Sequence, residues 1–255
     1  MNIISLGAGV QSSTIALKAA YGEIGPMPDC AIFSDTQWEP KAVYEWLDKL
    51  EKILPFPVYR VSEGNIRNDA IAKVNTTGQR FASIPWHMQK FNGEKAMGQR
   101  QCTQEYKLKP LRKKVRELLG GNTPAGGANI WIGISTDEAH RMKPSRLKYM
   151  INRWPLIELG MSRKDCIAWL AQKGLSVPKS SCIGCPFHGN DQWRALTPEE
   201  FEDACIVDDA IRDQPGFHNK QYAHRELKPL REVDLRTAEE AGQTNLFGNE
   251  CEGMC

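Results

Sequence analysis

Asn2-Ile-Ile-Ser-Leu6, Gly7-Ala-Gly-Val-Gln-Ser-Ser13 and Thr14-Ile-Ala-Leu-Lys-Ala-Ala20 are the three consecutive runs that decide the fold. The first is short, apolar and β-prone, the second small and polar, and the third helical in composition, so together they predict a strand, a tight loop and a helix. Gly7 and Gly9 let the backbone turn sharply and approach a ligand closely. Ser12 and Ser13 stand where a helix N-terminus presents N–H groups without intrahelical acceptors, a setting suited to phosphate. The same pattern also serves a plain βα corner, and the remainder of the chain decides between the two.

Outward from this unit, Asp29-Cys-Ala-Ile-Phe-Ser34 predicts a second strand that ends in the turn Asp35-Thr-Gln-Trp-Glu-Pro40. A helix over Lys41 to Ile53 and a third strand, Pro57-Val-Tyr-Arg-Val61, follow. Alternation of strand and helix argues for a parallel sheet wrapped by helices, which binds ligands at the carboxyl ends of its strands. The Gly7 to Ser13 loop and the Asp35-Thr36 turn both fall there. Residues 64 to 99 are less regular, punctuated by Asn75-Thr-Thr-Gly-Gln79, Pro85-Trp-His87 and Phe91-Asn-Gly93, and read as a loop or lid. A basic helix over Lys107 to Leu119 comes next; its charges suit either a solvated face or contact with polyphosphate or a nucleic-acid backbone. A fourth strand, Asn129 to Ile134, leads to Ser135-Thr-Asp-Glu-Ala-His-Arg141, and Ser162-Arg-Lys-Asp165 is a capping box opening a helix to Lys173.

From Ser180 the character shifts to the cysteine-bearing turn Ser181-Cys-Ile-Gly-Cys-Pro-Phe-His188, an acidic helix over Pro198 to Ile211, and a tail from Gly242 with little apolar periodicity. The expected organisation is therefore an α/β domain over 1–178 and a cysteine-containing helical extension with its tail over 179–255. Hydrophobic residues at 41% and charged residues at 25% fit a soluble globular chain, and a net charge of +2 does not announce a nucleic-acid binder. No apolar run approaches the roughly 18 residues that span a bilayer, and Met1-Asn2 leads straight into a strand, so the expected place is the cytoplasm, without a membrane partner. Eight cysteines in that setting favour metal binding or redox chemistry where they cluster, with Cys30, Cys166 and Cys205 read as core residues. His140 and His224, each followed by Arg, are candidate anion-binding pairs.

Taken together the pieces resemble the PP-loop ATP pyrophosphatases, and within them the phosphoadenosine phosphosulfate (PAPS) reductase branch. Ala8-Gly-Val-Gln-Ser12 stands where that family has Ser-Gly-Gly-x-Asp-Ser, with Gln11 in place of Asp, and Asp35-Thr-Gln-Trp-Glu-Pro40 is similar to its Asp-Thr-Gly-x-x-x-Pro turn. Arg100-Gln-Cys102 with Lys107-Leu-Lys-Pro-Leu111, Gly133-Ile-Ser-Thr-Asp-Glu138 with Arg141, and Pro155-Leu-Ile157 follow in the family's order. The resemblance implies a Rossmann-like (HUP-type) parallel sheet flanked by helices, with the nucleotide across its carboxyl edge. It implies that Ser5, Gly7, Gly9, Gln11, Ser12 and Ser13 cradle phosphate, that Asp35, Thr36 and Gly133 flank it, and that Arg100 and Arg141 neutralise charge.

Cys182-x-x-Cys185 is the strongest local signal of the second half, since two thiolates on a Gly-containing turn reach one metal or cluster. Cys102 is the natural third ligand, and His188, Cys251, Cys255 or substrate sulfide the fourth, of a [4Fe–4S] cluster; a structural zinc or a redox dithiol are the alternatives. The tail Asn249-Glu-Cys-Glu-Gly-Met-Cys255 resembles the mobile nucleophilic end of the sulfonucleotide reductases, with Cys251 as the attacking thiol. Glu250 and Glu252 disfavour a thiolate there, so reactivity requires docking beside Arg or Lys. Three functions share these residues: an ATP-dependent transferase that adenylates an acceptor and passes sulfur to it, a reductase of PAPS or adenosine phosphosulfate (APS), and a zinc-stapled nucleotide-binding accessory without turnover. Candidate partners are a small-molecule nucleotide, an RNA or DNA acceptor, a thioredoxin-type reductant or sulfur donor, and a second copy of the chain in a homodimer.

Overall fold

The computed structural model describes residues 1–73, 84–90, 92–121, 126–213, 219–236 and 240. In chain order its first elements are β1 (Asn2–Leu6), α1 (Val10–Ala20), β2 (Cys30–Ser34), α2 (Lys41–Ile53), β3 (Val58–Val61), α3 (Ile66–Ala72), β4 (His87–Gln89) and β5 (Lys95–Met97). There follow α4 (Lys109–Leu118), β6 (Ala128–Ile132), β7 (Met150–Arg153), α5 (Pro155–Glu158), α6 (Arg163–Gln172), α7 (Asn190–Arg194), α8 (Pro198–Ile211) and β8 (Gln221–Tyr222). They belong to two compact units. The first comprises Met1–Asp35, Lys41–Glu63 and Tyr106–Ser180; the second comprises Thr36–Pro40, Gly64–Glu105 and Ser181–Cys255.

The first unit is a five-stranded, wholly parallel sheet in the order β3-β2-β1-β6-β7. This is the Rossmann-like α/β arrangement. Each inner strand is apolar on both sides, as a strand buried on two faces must be. Ile4 and Leu6 of β1, Ala31 and Phe33 of β2 and Trp131 of β6 point into one core with α1, α2 and α6. The alternate residues Ile3, Cys30, Ile32, Ala128 and Ile130 point into the other, covered by Leu111 and Val115 of α4 and by Met150. The chain builds β1, β2 and β3 outward, then returns to add β6 and β7 on the opposite side of β1. Strand order therefore reverses between β1 and β6.

The second unit holds a small antiparallel sheet, β5-β4-β8, with α3, α7 and α8. Thr197 caps α8 through the Glu200 N–H, while the Glu200 side chain accepts from the Thr197 N–H, the reciprocal box that satisfies two otherwise orphaned donors. The polar centre of this unit is Asp208, fully buried on α8. Its carboxylate accepts the N–H groups of Ala223 at 2.7 Å and Leu230 at 2.9 Å and is paired with Arg212, whose guanidinium lies over the Tyr222 ring.

Several features differ from the sequence reading. Residues 64 to 99 contain α3 and the β4–β5 hairpin rather than loop alone, and α4 begins at Lys109 behind a π-helical turn over Thr103–Leu108. The edge strand β7 was not expected from its sequence, Met150-Ile-Asn-Arg153. Removing one partner of a buried charge-bearing network leaves the rest unsatisfied. Asp208→Asn should accordingly lower unfolding free energy by about 3 kcal/mol in urea titration. Asp209→Asn, on the exposed side of the same helix, should change it by less than about 1 kcal/mol.

Candidate functional site

At the carboxyl end of β1 the chain turns through Gly7, Ala8 and Gly9 into α1, with Ala8 buried in a left-handed conformation (φ 56°). The Ser12 hydroxyl closes this loop by accepting from the Gly7 N–H at 3.1 Å and donating to the Gly9 carbonyl at 3.3 Å. Ser13 is turned away from the loop: its buried hydroxyl accepts from Trp46 Nε1 at 2.9 Å. Both serines thus shape the loop from within, and the N–H groups that open α1, those of Val10, Gln11 and Ser12, are the donors the helix geometry leaves for a ligand. Ser5 lies one residue inside the sheet edge, in register between Ile32 and Ile132.

Gly133 follows β6 beside this helix start. A Cβ built on it would lie 2.9 Å from the Ser12 nitrogen and 3.2 Å from the Gln11 carbonyl carbon. Gly9 is packed from another side, its Cβ position 3.4 Å from Ser180 Cβ. A chain of polar contacts then runs across the mouth. Gln11 accepts from Arg163 Nη1 at 3.3 Å and donates to Glu138 at 3.4 Å, and Glu138 pairs with Arg141 at 2.6 Å. Desolvation works against ionisation of neighbouring Asp137, but the Arg163 N–H bonded to it at 2.9 Å helps hold its carboxyl below the ordinary range. Asp35, at the end of β2, accepts from Tyr44 Oη at 2.8 Å. Arg163 and Glu138 were not singled out from the sequence; the one signal near Arg163 was the Ser162–Asp165 capping box, which the structure contains.

In the second unit the turn Thr36–Pro40 packs on the cysteine turn. The Ile183 N–H donates to the Trp38 carbonyl at 2.8 Å, and a Cβ at Gly184 would fall 2.2 Å from the Trp38 ring. Trp38 Nε1 and Arg67 Nε each donate to Asp203 at 2.7 Å. Thr36 is fully buried. Its hydroxyl donates to Glu39 Oε1 at 3.1 Å and lies 3.3 Å from Cys182 Sγ, while that thiol donates to the same Glu39 oxygen at 3.7 Å. Glu39, inside the turn quoted from the sequence but not picked out there, is thus the acceptor around which the turn is ordered.

The proposed metal donors are placed as follows. Cys185 lies one turn beyond Cys182, its N–H donating to the Cys182 carbonyl at 3.0 Å. His188 is buried with Nε2 at 2.7 Å from Ser181 Oγ and its ring edge-on to Trp193. Cys102 sits ahead of the π-helical turn, and Arg100 lies over the Phe187 ring at 5.2 Å. Among the described residues no group of three or more His, Cys, Asp or Glu side chains converges to hold a metal. Cys251 and Cys255 lie outside the described residues. Burial pushes the thiols of Cys30, Cys166 and Cys205 up to about 11, as inert core residues require. Among the described residues no helix is long and apolar enough to cross a membrane.

A parallel sheet whose glycine loop enters a helix at the reversal of strand order defines an α/β architecture built to take a ligand at that edge. No protein-family model matches the sequence, and no curated protein sequence matches it either. Among solved structures the chain is similar to a phosphoadenylyl-sulfate (PAPS) reductase from Candida auris in a phosphate complex. Identity is 13% and the TM-score 0.44, over 71% of this chain and 75% of that one. At that level the likeness assigns no ligand and no residue role to this chain.

Two outcomes follow from the second unit's geometry. Gly184→Ala should expel the Trp38 ring from its seat, seen as a red shift of tryptophan emission and a loss of stability of about 2 kcal/mol or more. His224 is buried, its Nε2 3.2 Å from the Asn190 side-chain oxygen and its Nδ1 accepting the Glu226 N–H at 3.2 Å, so it sits as a neutral ring rather than as an anion site. Desolvation lowers its pKa from 6.5 to about 4. The unfolded chain therefore binds the proton first: the His224 contribution is complete above pH 6.5 and is lost as pH falls toward 4. His224→Gln should remove this part of the acid sensitivity, about 3 kcal/mol across that window in urea titrations.

Proposed function

We propose that this chain is an adenine-nucleotide-dependent enzyme of sulfur metabolism of the PP-loop type, which adenylates an acceptor and passes sulfur to it. The observation that carries the proposal is the place of the Gly7–Ser13 loop: at the reversal of strand order between β1 and β6, with the first turn of α1 opening at the carboxyl edge. The motif order that resembles the PP-loop ATP pyrophosphatases supports the same reading.

In this reading the N–H groups of Val10, Gln11 and Ser12 take the terminal phosphates of ATP, and Arg163 and Arg141 balance charge beside them. An acceptor oxygen attacks the α-phosphorus, the bond to the bridging oxygen breaks, and pyrophosphate leaves with the electron pair. Donors already aimed at that leaving group lower the barrier because they need not reorganise. A hydrosulfide released by a donor protein then attacks the activated carbon, the carbon–oxygen bond breaks, AMP departs with its electron pair, and the proton on sulfur passes to solvent.

Gln11 favours a second reading. A neutral amide replaces the family's carboxylate in the loop, which suits retention of a sulfonucleotide without ATP cleavage. There Cys251 attacks the sulfur of PAPS or APS, the nucleotide leaves, and a second thiol, Cys255 or a thioredoxin-type reductant, attacks the Cys251 sulfur. That step forms a disulfide and releases sulfite.

The test is release of AMP and pyrophosphate from ATP by the full chain, purified anaerobically, with and without RNA and DNA. Ser12→Ala, which opens the hydroxyl clasp on Gly7 and Gly9, should cut acceptor-dependent release about 10-fold or more. Sulfite from PAPS or APS that is lost in Cys251→Ser, without AMP and pyrophosphate from ATP, would establish the second reading instead. Nucleotide binding with neither product would sink both and leave the accessory function.

A further inference from the structure

Two segments of the first unit are strongly basic. Residues 107–119 and 141–148 together hold ten Lys and Arg against a single acidic residue, Glu117, in a chain whose net charge is only +2. The two segments are far apart in sequence but share a core: Leu111, Val115 and Leu118 of α4 pack into the same apolar cluster as Leu147, Tyr149 and Met150. Leu147 and Tyr149 are partly buried there while Arg146 and Lys148, between and beside them, are exposed. On α4 the exposed residues Lys109, Lys113 and Arg116 recur at helical spacing opposite the buried Leu111 and Val115, over roughly 10 Å of axis.

Among the described residues, five of these ten cations have no ion pair and three have one. Lys109 pairs with Glu63 and Lys114 with Glu117, and Arg141 with Glu138. Lys113, Arg116, Lys143, Arg146 and Lys148 have no ion pair among the described residues. The face also lacks the means to enter a bilayer, since the large exposed apolar side chains, such as Met27, Ile53, Ile151 and Ile167, lie in neither basic segment. Exposed aromatic rings for stacking on bases are absent from both segments too.

We propose that this face, α4 together with residues 143–148, binds the phosphate backbone of a nucleic acid, without reading base sequence. Rows of unpaired Lys and Arg gain affinity by releasing condensed counterions from a polyanion, a gain that scales with the number of phosphates contacted. The inference deepens the proposed function, because it names a polynucleotide as the acceptor class, but the surface itself does not depend on the nucleotide loop.

The experiment is fluorescence anisotropy of the full chain with a labelled duplex DNA and a structured RNA, without ATP, from 50 to 300 mM salt. Binding should weaken steeply with salt. Lys113→Glu with Arg116→Glu, and separately Arg146→Glu with Lys148→Glu, should each weaken binding at least 10-fold and lower the log–log salt slope by about 2. Lys49→Glu with Lys52→Glu, exposed on α2 over the opposite face of the sheet, should leave binding within 2-fold. Absence of binding at 50 mM salt, equal loss in the α2 variant, or equal affinity for anionic phosphatidylserine vesicles would overturn the proposal. Nucleic-acid binding without AMP and pyrophosphate release would keep the surface and discard the adenylation chemistry; release with a small acceptor but no nucleic-acid binding would do the reverse.

Discussion

The carboxyl edge of the parallel sheet depends on one backbone-to-backbone approach. With a Cβ at position 133 only 2.9 Å from the Ser12 nitrogen, no side chain can stand there unless β6 or α1 moves. Neither has freedom to do so: β6 is held in register with β1 from Asn2–Asn129 to Ser5–Ile132, and α1 continues from β1 through three residues. Glycine is thus the condition for β6 to pair with the central strand while α1 begins where it does. The contact places the opening N–H groups of α1 beside the strand-order reversal. The loop's own hydrogen bonds are spent inward, with Ser12 holding Gly7 and Gly9 and Ser13 holding Trp46. Rigidity there comes from the side chains, and ligand capacity is left to the backbone.

The second unit solves a different problem, the burial of acids in a short, irregular stretch of chain. Burying a carboxylate is costly unless each oxygen has donors. Asp208 meets that requirement with two N–H groups and Arg212; Asp203, partly exposed, accepts from Trp38 and Arg67. Glu39 takes its donors from Thr36 and Cys182, which fixes the cysteine turn against the Trp38 turn through a thiol as well as through the Ile183 N–H. The thiol of Cys182 is thereby oriented by a carboxylate.

Legibility in the sequence followed the range of the interactions involved. β1, α2, the Ser162 capping box and α8 are set by local composition and period, and their bounds agree with the sequence to within a residue or two. The hairpin β4–β5 was not legible because each strand is three residues long and its third partner, β8, comes from residues 221–222. β7 was hidden for a related reason: an edge strand covered on one side need not show a continuous apolar run, and Asn152 and Arg153 broke it. At the candidate site, Gly7, Gly9 and Ser12 announced themselves by type and Gln11 and Gly133 by the motif resemblance, whereas Arg163 and Glu138 reach Gln11 only through the fold. The spacing of Cys182 and Cys185 was legible because one turn joins them, whereas Cys102 and His188 are placed only by the fold.

The identity of residue 11 is accounted for by local electrostatics. Position 11 lies between a carboxylate, Glu138, and a guanidinium, Arg163. An amide satisfies both neighbours at once, its NH₂ donating to Glu138 while its oxygen accepts from Arg163. An aspartate in that position would have to face Glu138 with like charge and could supply no donor, so Glu138 would lose a partner as well as gain a repulsion. Glu138 is meanwhile tied to Arg141, so the amide completes a run of alternating partners, Arg163, Gln11, Glu138 and Arg141, across the first turn of α1. Such a run keeps two guanidinium groups at the mouth with Glu138 as the one carboxylate in it. The net charge at the mouth is set less by residue 11 itself than by how firmly Glu138 retains Arg141.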